Sequence, residues 1–231
     1  MTDLLWEGRP PSARGPRPSL TLEQITAAAI AIADAEGLAA ISMQRVAAAL
    51  GLTKMSLYRY LPGKAELIAL MVDQGMGPAP ALTGTGWRAG LAQWAQHLLA
   101  AFLRRPWALE ATLGARPVGP NEVAWTDAAL ALLTGTGLRG GERFDALVVL
   151  TGHVRMTAQQ AAAGARSEHQ LTDVLARLLD APGEDRAARF PALAQTLAET
   201  AAGDQDEAFT FGLERILDGL QALIERRAHS C

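Results

Sequence analysis

The sequence predicts an all-α fold, and three observations carry this prediction. Ala, Leu, Glu and Arg, which are strong helix formers, dominate the composition. The aromatic and β-branched residues that favour strands are scarce, with aromatic residues at 5%. Apolar residues also recur at steps of three and four along successive segments, which is the spacing of one helix face.

Composition also limits the class of protein. The formal net charge is −3, so the chain is no general polyanion binder, and any anion-binding surface must be local. No run of about 18 uncharged apolar residues occurs and no signal-peptide pattern opens the chain, so we expect a cytoplasmic protein without membrane contact. The only cysteine is Cys231, which excludes an internal disulfide.

The chain divides into three segments. Residues 1–18, rich in Pro, Gly and Arg and without an apolar period, are predicted to form a flexible basic arm. Residues 19–76 carry capped helices and end in a linking helix over 64–76. Gly and Pro are dense between residues 75 and 86, so a second domain is predicted over 77–231.

The first three helices have clear start signals. Thr21 and Gln24 have the form of a capping box, and Gly37 supplies the stop of the first helix. Ser42 and Thr53 are side chains of the kind that cap the second and third helices. These signals place three short helices before the linking helix.

The second and third helices, joined through Gly51, have the form of a helix-turn-helix. Gly51 tolerates a positive φ in the turn, Ala47 is small enough for a close crossing, and Leu52 and Leu57 can fill the core between the helices. The second helix of such a unit fits the major groove of DNA, which is about 12 Å wide. Because similar pairs also occur as ordinary helix packing, the pattern alone leaves both interpretations open.

Positive charge is concentrated where a DNA-docking face needs it. The range Ser42–Ala65 contains four cations and no acid. Lys54 and Ser56 lie at the start of the third helix, where side chains approach base edges. The donors suited to phosphate oxygens are Thr53, Tyr58, Tyr60 and Lys64.

Residues 21–70, above all the string GLTKMSLYRYLPGKAELI over 51–68, resemble the DNA-binding domain of the tetracycline-repressor (TetR) family. The resemblance favours the DNA-binding interpretation and implies binding to double-stranded operator DNA as a dimer. Met55 and Arg59 occupy variable positions, so the operator sequence is not implied. The predicted DNA-binding residues are Ser42, Gln44, Thr53, Lys54, Met55, Ser56, Tyr58, Arg59, Tyr60 and Lys64.

Apolar spacing and Pro or Gly breaks predict the helices of the second domain. They run from Trp87 to about Ala101, from Trp107 to Leu113, from Asn121 to Leu133 and from about residue 143 to 163. Two further helices over 168–200 are divided near Pro182-Gly183, and a last one carries the apolar positions from Phe209 to Ile224.

Tryptophan and polar side chains in this domain predict a cavity for a small molecule. Four of the five tryptophans lie between residues 87 and 125, and the next long helix adds polar residues. A few polar groups in an aromatic lining are typical of ligand sites, although each such residue is more often part of a core. The predicted ligand-binding residues are Trp94, His97, Leu98, Trp107, Thr112, Arg116, Trp125, Arg155, Met156 and Gln159.

Parts of this domain resemble the inducer-binding domain of tetracycline repressors, at the GARP string over 114–117, the Trp125 helix and Gly152-His153. Trp94 and Leu98 replace polar contacts of those repressors, which argues against a metal-chelated tetracycline. We expect an apolar inducer that is aromatic or cationic, since stacked tryptophans attract a cation to their ring faces. The four scattered histidines form no ligand pair, so no metal and no cofactor are predicted.

The last helix carries a regular apolar stripe that would fit a core helix on spacing alone. In the family that the chain resembles, this helix and the long one before it form a four-helix dimer interface. We therefore predict a homodimer that meets through Leu213, Ile216, Leu217, Leu220 and Ile224.

The expected protein is a ligand-responsive repressor: an N-terminal three-helix helix-turn-helix domain joined by a linking helix to a larger helical ligand-binding and dimerisation domain. An enzyme is one alternative, but no nucleophile, base and orienting residue stand at motif spacing and no Gly-rich phosphate loop occurs. A DNA-binding dimer without a ligand is the other. A compound that both raises the melting temperature and releases DNA would distinguish the repressor from it.

Overall fold

The computed structural model describes residues 3–6, 20–163, 168–181, 186–202 and 208–229. Within these ranges every regular element is a helix and no strand is present, which confirms the predicted all-α fold. None of the described helices is both long and apolar enough to cross a lipid bilayer.

The N-terminal part of the chain consists of α1 (Asp3–Trp6), α2 (Leu22–Glu36), a 3-10 helix (Leu38–Ala40), α3 (Met43–Ala49), α4 (Lys54–Tyr58) and the linking helix α5 (Lys64–Met76). The capping box at the start of α2 is confirmed, since Thr21 Oγ1 accepts from the Gln24 backbone N–H at 3.2 Å and Gln24 Oε1 accepts from the Thr21 N–H at 2.9 Å. Gly37 ends α2 at φ 82°, a conformation that favours glycine.

The larger domain consists of α6 (Trp87–Arg104), α7 (Trp107–Ala111), α8 (Pro120–Leu132), α9 (Gly140–Ala162), α10 (Glu168–Leu179), α11 (Arg186–Arg189), α12 (Pro191–Ala202) and α13 (Ala208–Ala228). α9 begins earlier than predicted because Glu142 accepts from the Arg139 backbone N–H and caps its start. The predicted pair over 168–200 forms three helices, since Pro191 opens a new one. The division predicted near Pro182-Gly183 lies outside the described residues.

The larger domain is organised around α6 and α9. α6 packs against α8 and α9, and α13 packs against α9. Leu91, Leu150 and Leu217 are fully enclosed in the resulting core. α5 packs against α2 on one side and against α7 and α8 on the other, so the linking helix belongs to the packing of both domains.

The predicted flexible arm needs a correction at residues 3–6, which form α1. Leu5 is buried, and the indole N–H of Trp6 donates to the backbone oxygen of Val118 at 3.2 Å. Removal of the apolar surface of the short run Leu4-Leu5-Trp6 from water stabilises this docking. In the sequence, the surrounding Pro, Gly and Arg residues obscure this apolar run. The cations of the predicted arm, Arg9, Arg14 and Arg17, lie outside the described residues.

Candidate DNA interface and ligand cavity

The helix-turn-helix geometry rests on a tight turn between α3 and α4. Gly51 has φ 68°, as the turn requires, and the Leu52 backbone N–H donates to the Ala47 oxygen at 2.8 Å. Ala47 and Leu57 are buried where the two helices cross. The small side chain of Ala47 lets the helices approach, and Leu57 anchors α4 so that its other side faces solvent.

Both predicted N-caps are present. Ser42 Oγ accepts from the Arg45 backbone N–H at 3.2 Å, and Thr53 Oγ1 accepts from the Ser56 backbone N–H at 3.1 Å. The hydroxyls of Thr53 and Ser56 also lie 2.9 Å apart, within hydrogen-bond distance. Ser56 is half-buried, so its hydroxyl is less accessible than its position at the start of α4 suggests.

The side chains at the start of α4 form an exposed surface. Lys54 is exposed, with its Nζ 5.9 Å from the centre of the Tyr58 ring, and Met55 is 74% exposed. Tyr60 is half-buried and packs against the core, unlike the exposed Tyr58 and Arg59. The remaining predicted residues that are exposed are Ser42, Gln44, Thr53, Tyr58, Arg59 and Lys64.

Local charge on this surface is positive. Of the four cations between Ser42 and Ala65, Arg45 is paired with Glu36 of α2. The other three, Lys54, Arg59 and Lys64, have no carboxylate partner among the residues that the structure describes. An unpaired cation on an exposed helix is what a phosphate backbone attracts. We call the exposed face formed by Lys54, Met55, Tyr58, Arg59 and Lys64 the α4 surface.

A cavity of about 200 Å³ lies between the end of α5 and helices α6, α8 and α9. Six of the ten predicted ligand-binding residues line it: Trp94, Leu98, Thr112, Arg116, Trp125 and Arg155. The structure therefore brings together aromatic, aliphatic and cationic side chains from four parts of the sequence.

The other four predicted residues lie elsewhere. His97 is exposed on α6 and Met156 is 59% exposed on α9, because each is one residue, about 100° of helix rotation, away from a lining position. Trp107 and Gln159 line a separate cleft of about 590 Å³ beside α2 and α7. These four residues do not share the cavity with the six.

Sequence reasoning missed several lining residues that helix periodicity would have found. On α6, Phe102 continues the spacing of four residues set by Trp94 and Leu98. On α9, Leu147 and Thr151 precede Arg155 at the same spacing. On α8, Glu122 stands three residues before Trp125, and Thr126 four residues after Glu122. No comparable sequence signal marks the remaining missed residues, Met76 and Val118.

The two tryptophans of the cavity do not form the stacked pair that the sequence suggested. Their rings meet edge to face, with centres 6.2 Å apart and planes inclined by 66°. Trp94 Nε1 donates to the Trp125 backbone oxygen at 2.9 Å, and Trp125 Nε1 donates to the Gly77 oxygen at 3.1 Å. Both indole N–H groups are thus used to hold the cavity together and to join α8 to the end of α5.

Two arginines give the cavity its charge. Arg116 is paired with Glu122 through two hydrogen bonds, the longer of them 2.7 Å from Arg116 Nη1 to Glu122 Oε1. Arg155 donates to Thr112 Oγ1 at 2.6 Å and to the Leu109 backbone oxygen at 2.9 Å. Burial, and then the nearby charge of Arg116, lowers the pKa of Arg155.

Asp73 connects the linking helix to the cavity. Its Oδ1 accepts from the backbone N–H groups of Asn121 at 2.8 Å and Glu122 at 3.4 Å, at the start of α8. The carboxylate takes the place of an N-cap side chain that Gly119 lacks, and a Cβ at Gly119 would lie 2.2 Å from Asp73 Oδ1. Burial raises the pKa of Asp73, and the hydrogen bonds from α8 oppose this rise.

A second connection joins α7 to the N-terminal domain. Trp107 Nε1 donates to Asp34 Oδ1 of α2 at 2.6 Å, and Arg105 Nη1 donates to the Gly75 oxygen of α5 at 2.7 Å. Trp107 therefore has a role in domain packing, which explains its burial without a ligand.

Two of the five predicted dimer residues of α13 require a correction. Leu213 and Leu217 are buried within the chain, with Leu217 at 0% exposure, and they cannot also be covered by a second chain. Ile216, Leu220 and Ile224 are half-buried against the same core, and their place in a dimer interface stays a prediction. The apolar stripe of α13 faces α9 because the amphipathic face of a helix is buried against its nearest neighbour.

The exposed apolar residues of these two helices lie at other positions. On α9 they are Phe144, Val148, Val149 and Met156, and on α13 the corresponding residue is Phe211. Val148 is 69% exposed, more than any other of the five. We call this set the α9 face.

Comparison with known proteins places these features in context. Two family models match, "Bacterial regulatory proteins, tetR family" over residues 25–71 and "Tetracyclin repressor-like, C-terminal domain" over residues 79–224. The HTH-type transcriptional repressor DrrR1 of Streptomyces coeruleorubidus is 41% identical, over 97% of this chain and 86% of its own.

Solved structures show the same architecture. Apo ActR from Streptomyces coelicolor superposes with a TM-score of 0.76 and 26% identity, over 91% of this chain and 99% of that chain. ActR in complex with actinorhodin superposes with a TM-score of 0.74 and 28% identity, over 88% of this chain and 96% of that chain. The likeness thus spans both domains.

Proposed function

The chain belongs to the tetR family of bacterial regulatory proteins, and we propose that it is a cytoplasmic repressor that binds a near-palindromic operator as a dimer and leaves it when a small molecule fills the cavity. One observation carries the ligand-controlled part of this proposal. The cavity that would hold the ligand is lined by Met76, the last residue of the linking helix α5.

The α4 surface is the proposed DNA-reading element. Lys54 and Met55 are exposed at the first turn of α4, where a recognition helix approaches base edges in the major groove. Lys64 begins α5 with its side chain exposed, in a position suited to a phosphate oxygen. A dimer would present two such helices about 34 to 36 Å apart, the separation of successive major grooves on one side of DNA.

The α9 face is the proposed dimer interface, in place of the buried residues of α13. Its side chains are apolar and exposed in the single chain, with Phe144 at 56% and Phe211 at 54%. An apolar patch of this kind on a long helix favours association with a second copy, and a two-fold dimer would bring each patch against its own equivalent.

Release of DNA follows from how the cavity is joined to α5. A ligand among Trp125, Glu122 and Met76 would contact α8 and the end of α5 together. Movement of α8 would be passed to α5 through Asp73, and α5 packs against α2 of the DNA-binding domain. A coupling of about 1 to 3 kcal/mol between the two sites would change operator affinity roughly 5- to 150-fold.

The first step of the test is to select an operator from a pool of random DNA and to measure its affinity by fluorescence anisotropy. Compounds are then added, beginning with actinorhodin, which is bound in the related ActR structure. We expect at least one compound that raises the melting temperature to lower operator affinity by about 5- to 150-fold. Compounds that bind without any loss of DNA affinity would favour a DNA-binding dimer without ligand control.

A cavity-filling variant sharpens the experiment. Thr126 lines the cavity and its hydroxyl only donates to the Glu122 oxygen of its own helix, so Thr126→Met should bind the operator normally and lose the response to the compound. Thr134→Met is the matched control, because Thr134 makes the same kind of bond, to Leu130, at an exposed position outside the cavity.

A further inference from the structure

Arg155 is the cationic group of the cavity that has no counter-charge among the residues that the structure describes. Its guanidinium is fixed by Thr112 and Leu109 and lies 5.6 Å from the centre of the Phe102 ring. Those two hydrogen bonds use two of the five N–H donors of a guanidinium, and both acceptors are neutral. Among the described residues, no carboxylate lies within ion-pair distance of Arg155.

The neighbouring arginine does not relieve this imbalance. Arg116 has the single carboxylate of the cavity, Glu122, as its partner, so the lining carries one more positive than negative charge. The Nε atom of Arg116 is buried and has no hydrogen-bond acceptor in the part of the chain that the structure describes. A buried donor without an acceptor is costly, so both arginines would gain from an acceptor brought by a ligand.

Resting on the ligand-controlled function proposed above, we infer that the cavity takes an aromatic compound that carries a carboxylate, and that Arg155 binds this carboxylate. The aromatic part has Trp94, Trp125 and Phe102 to pack against. A guanidinium held by neutral acceptors is preorganised, because little side-chain freedom is lost when the acid binds. Repulsion by the unpaired guanidinium of Arg155 disfavours a cationic compound, as does the edge-to-face contact of the tryptophans.

Matched probes test the charge preference directly. Naphthalene and anthraquinone, each bearing a carboxylate, a carboxamide or an aminomethyl group at the same ring position, are titrated into the full-length protein without DNA and followed by calorimetry and thermal shift. We expect at least one carboxylate to bind about tenfold or more tightly than its carboxamide, as befits a charge-assisted hydrogen bond, and the aminomethyl compounds to bind most weakly. If no carboxylate exceeds its carboxamide, or if an aminomethyl compound binds best, the inference is wrong.

Variants assign the preference to Arg155. Arg155→Met should bring the carboxylate down to the affinity of the carboxamide and leave the carboxamide nearly unchanged, while Arg155→Lys should keep part of the preference. Arg177→Met, at an exposed position of α10, removes the same charge outside the cavity and should change neither affinity. A preference for the carboxylate that survives in Arg155→Met would overturn the assignment. If Arg155→Met does not fold, an undiminished preference for the carboxylate in Arg155→Lys would overturn it instead.

The experiment separates this inference from the proposed function. Binding is measured without DNA, so loss of the charge preference contradicts only the carboxylate site. Carboxylates that bind through Arg155 but leave operator affinity unchanged would instead contradict the proposed control of DNA binding.

Discussion

Asp73 and Asn121 are joined by three hydrogen bonds, although they belong to different domains. The Asn121 backbone N–H donates to Asp73 Oδ1 at 2.8 Å, and Asn121 Nδ2 donates to Asp73 Oδ2 and to the Asp73 backbone oxygen, each at 3.1 Å. The linking helix therefore holds the start of α8, whose side chains Glu122 and Trp125 line the cavity. This pair is therefore a polar connection between the cavity and the linking helix, which packs against α2.

Replacing Asp73 with Ala should uncouple the two sites. The carboxylate that holds α8 against α5 is lost, so a compound that fills the cavity should change operator affinity by much less than the roughly 5- to 150-fold expected of the natural chain. Binding of the compound to the free protein should persist. The measurement is operator affinity by anisotropy with and without saturating compound.

Asp127→Ala is the matched control for this experiment, since Asp127 lies on the exposed side of α8, the helix whose start Asp73 caps. It should retain the full response. An undiminished response in Asp73→Ala would show that coupling passes through another contact, such as that of Trp107 with Asp34.

Lys54 and Lys64 should differ when each is replaced by Ala. Loss of Lys64, as a phosphate contact, should weaken binding to all DNA sequences and reduce the slope of log affinity against log salt concentration by about one unit.

Loss of Lys54, at the start of α4, should instead relax the base preference at one or two operator positions. The check is binding to a set of single-base operator variants at several salt concentrations; uniform weakening in Lys54→Ala would make Lys54 a backbone contact.

Sequence reasoning succeeded where the signal is local. The caps at Thr21, Ser42 and Thr53 are present because a short side chain beside the first helical amides satisfies them in almost any tertiary context. The turn at Gly51 follows from the same local logic, since its positive φ favours glycine. Ser42, Gly51 and Thr53 fix the ends of α3 and α4, so the local geometry of the helix-turn-helix could be predicted from the sequence.

The rest depended on contacts between distant segments. Leu217 belongs to a clear apolar stripe, but a stripe shows only that one face is buried, and whether the cover is α9 or a second chain is a tertiary property. Likewise His97 and Met156 stand beside lining positions in sequence and yet face solvent, since one residue turns a helix by about 100°. The cap that Asp73 provides to α8 joins residues 48 positions apart and has no local signal.

Val148→Glu should separate the dimer without unfolding the chain. Val148 is 69% exposed in the single chain, so a carboxylate there costs little in folding but would be buried at the α9 face of a dimer. Light scattering should give the mass of one chain, and circular dichroism should show unchanged helix content.

Val174→Glu on α10 is the matched control, because it introduces the same charge at an exposed valine on another helix, and it should remain a dimer. Leu217→Glu should act differently, lowering the melting temperature through burial of an unpaired charge. A dimer that persists in Val148→Glu would move the interface away from the α9 face.

Glu142 should make stability depend on acid pH. The Arg139 backbone N–H and then the Arg227 side chain bind its carboxylate, which lowers its pKa from 4.5 to about 2. A depressed pKa contributes stability that is present above the unfolded value and is lost as pH falls from 4.5 toward about 2. Glu142→Gln should therefore have a lower melting temperature than the natural chain at neutral pH.

The difference in melting temperature between the two proteins should narrow across that pH window and vanish near its lower end, because the natural chain then also carries a neutral side chain at position 142. Introduced into the Arg227→Met variant, Glu142→Gln should still lower the melting temperature at neutral pH, but by less than in the natural chain. The stronger contact of the Glu142 carboxylate, that with the Arg139 N–H, remains in Arg227→Met. A difference that stays constant down to the lower limit would mean that the ionised carboxylate of Glu142 does not hold the start of α9 against the end of α13.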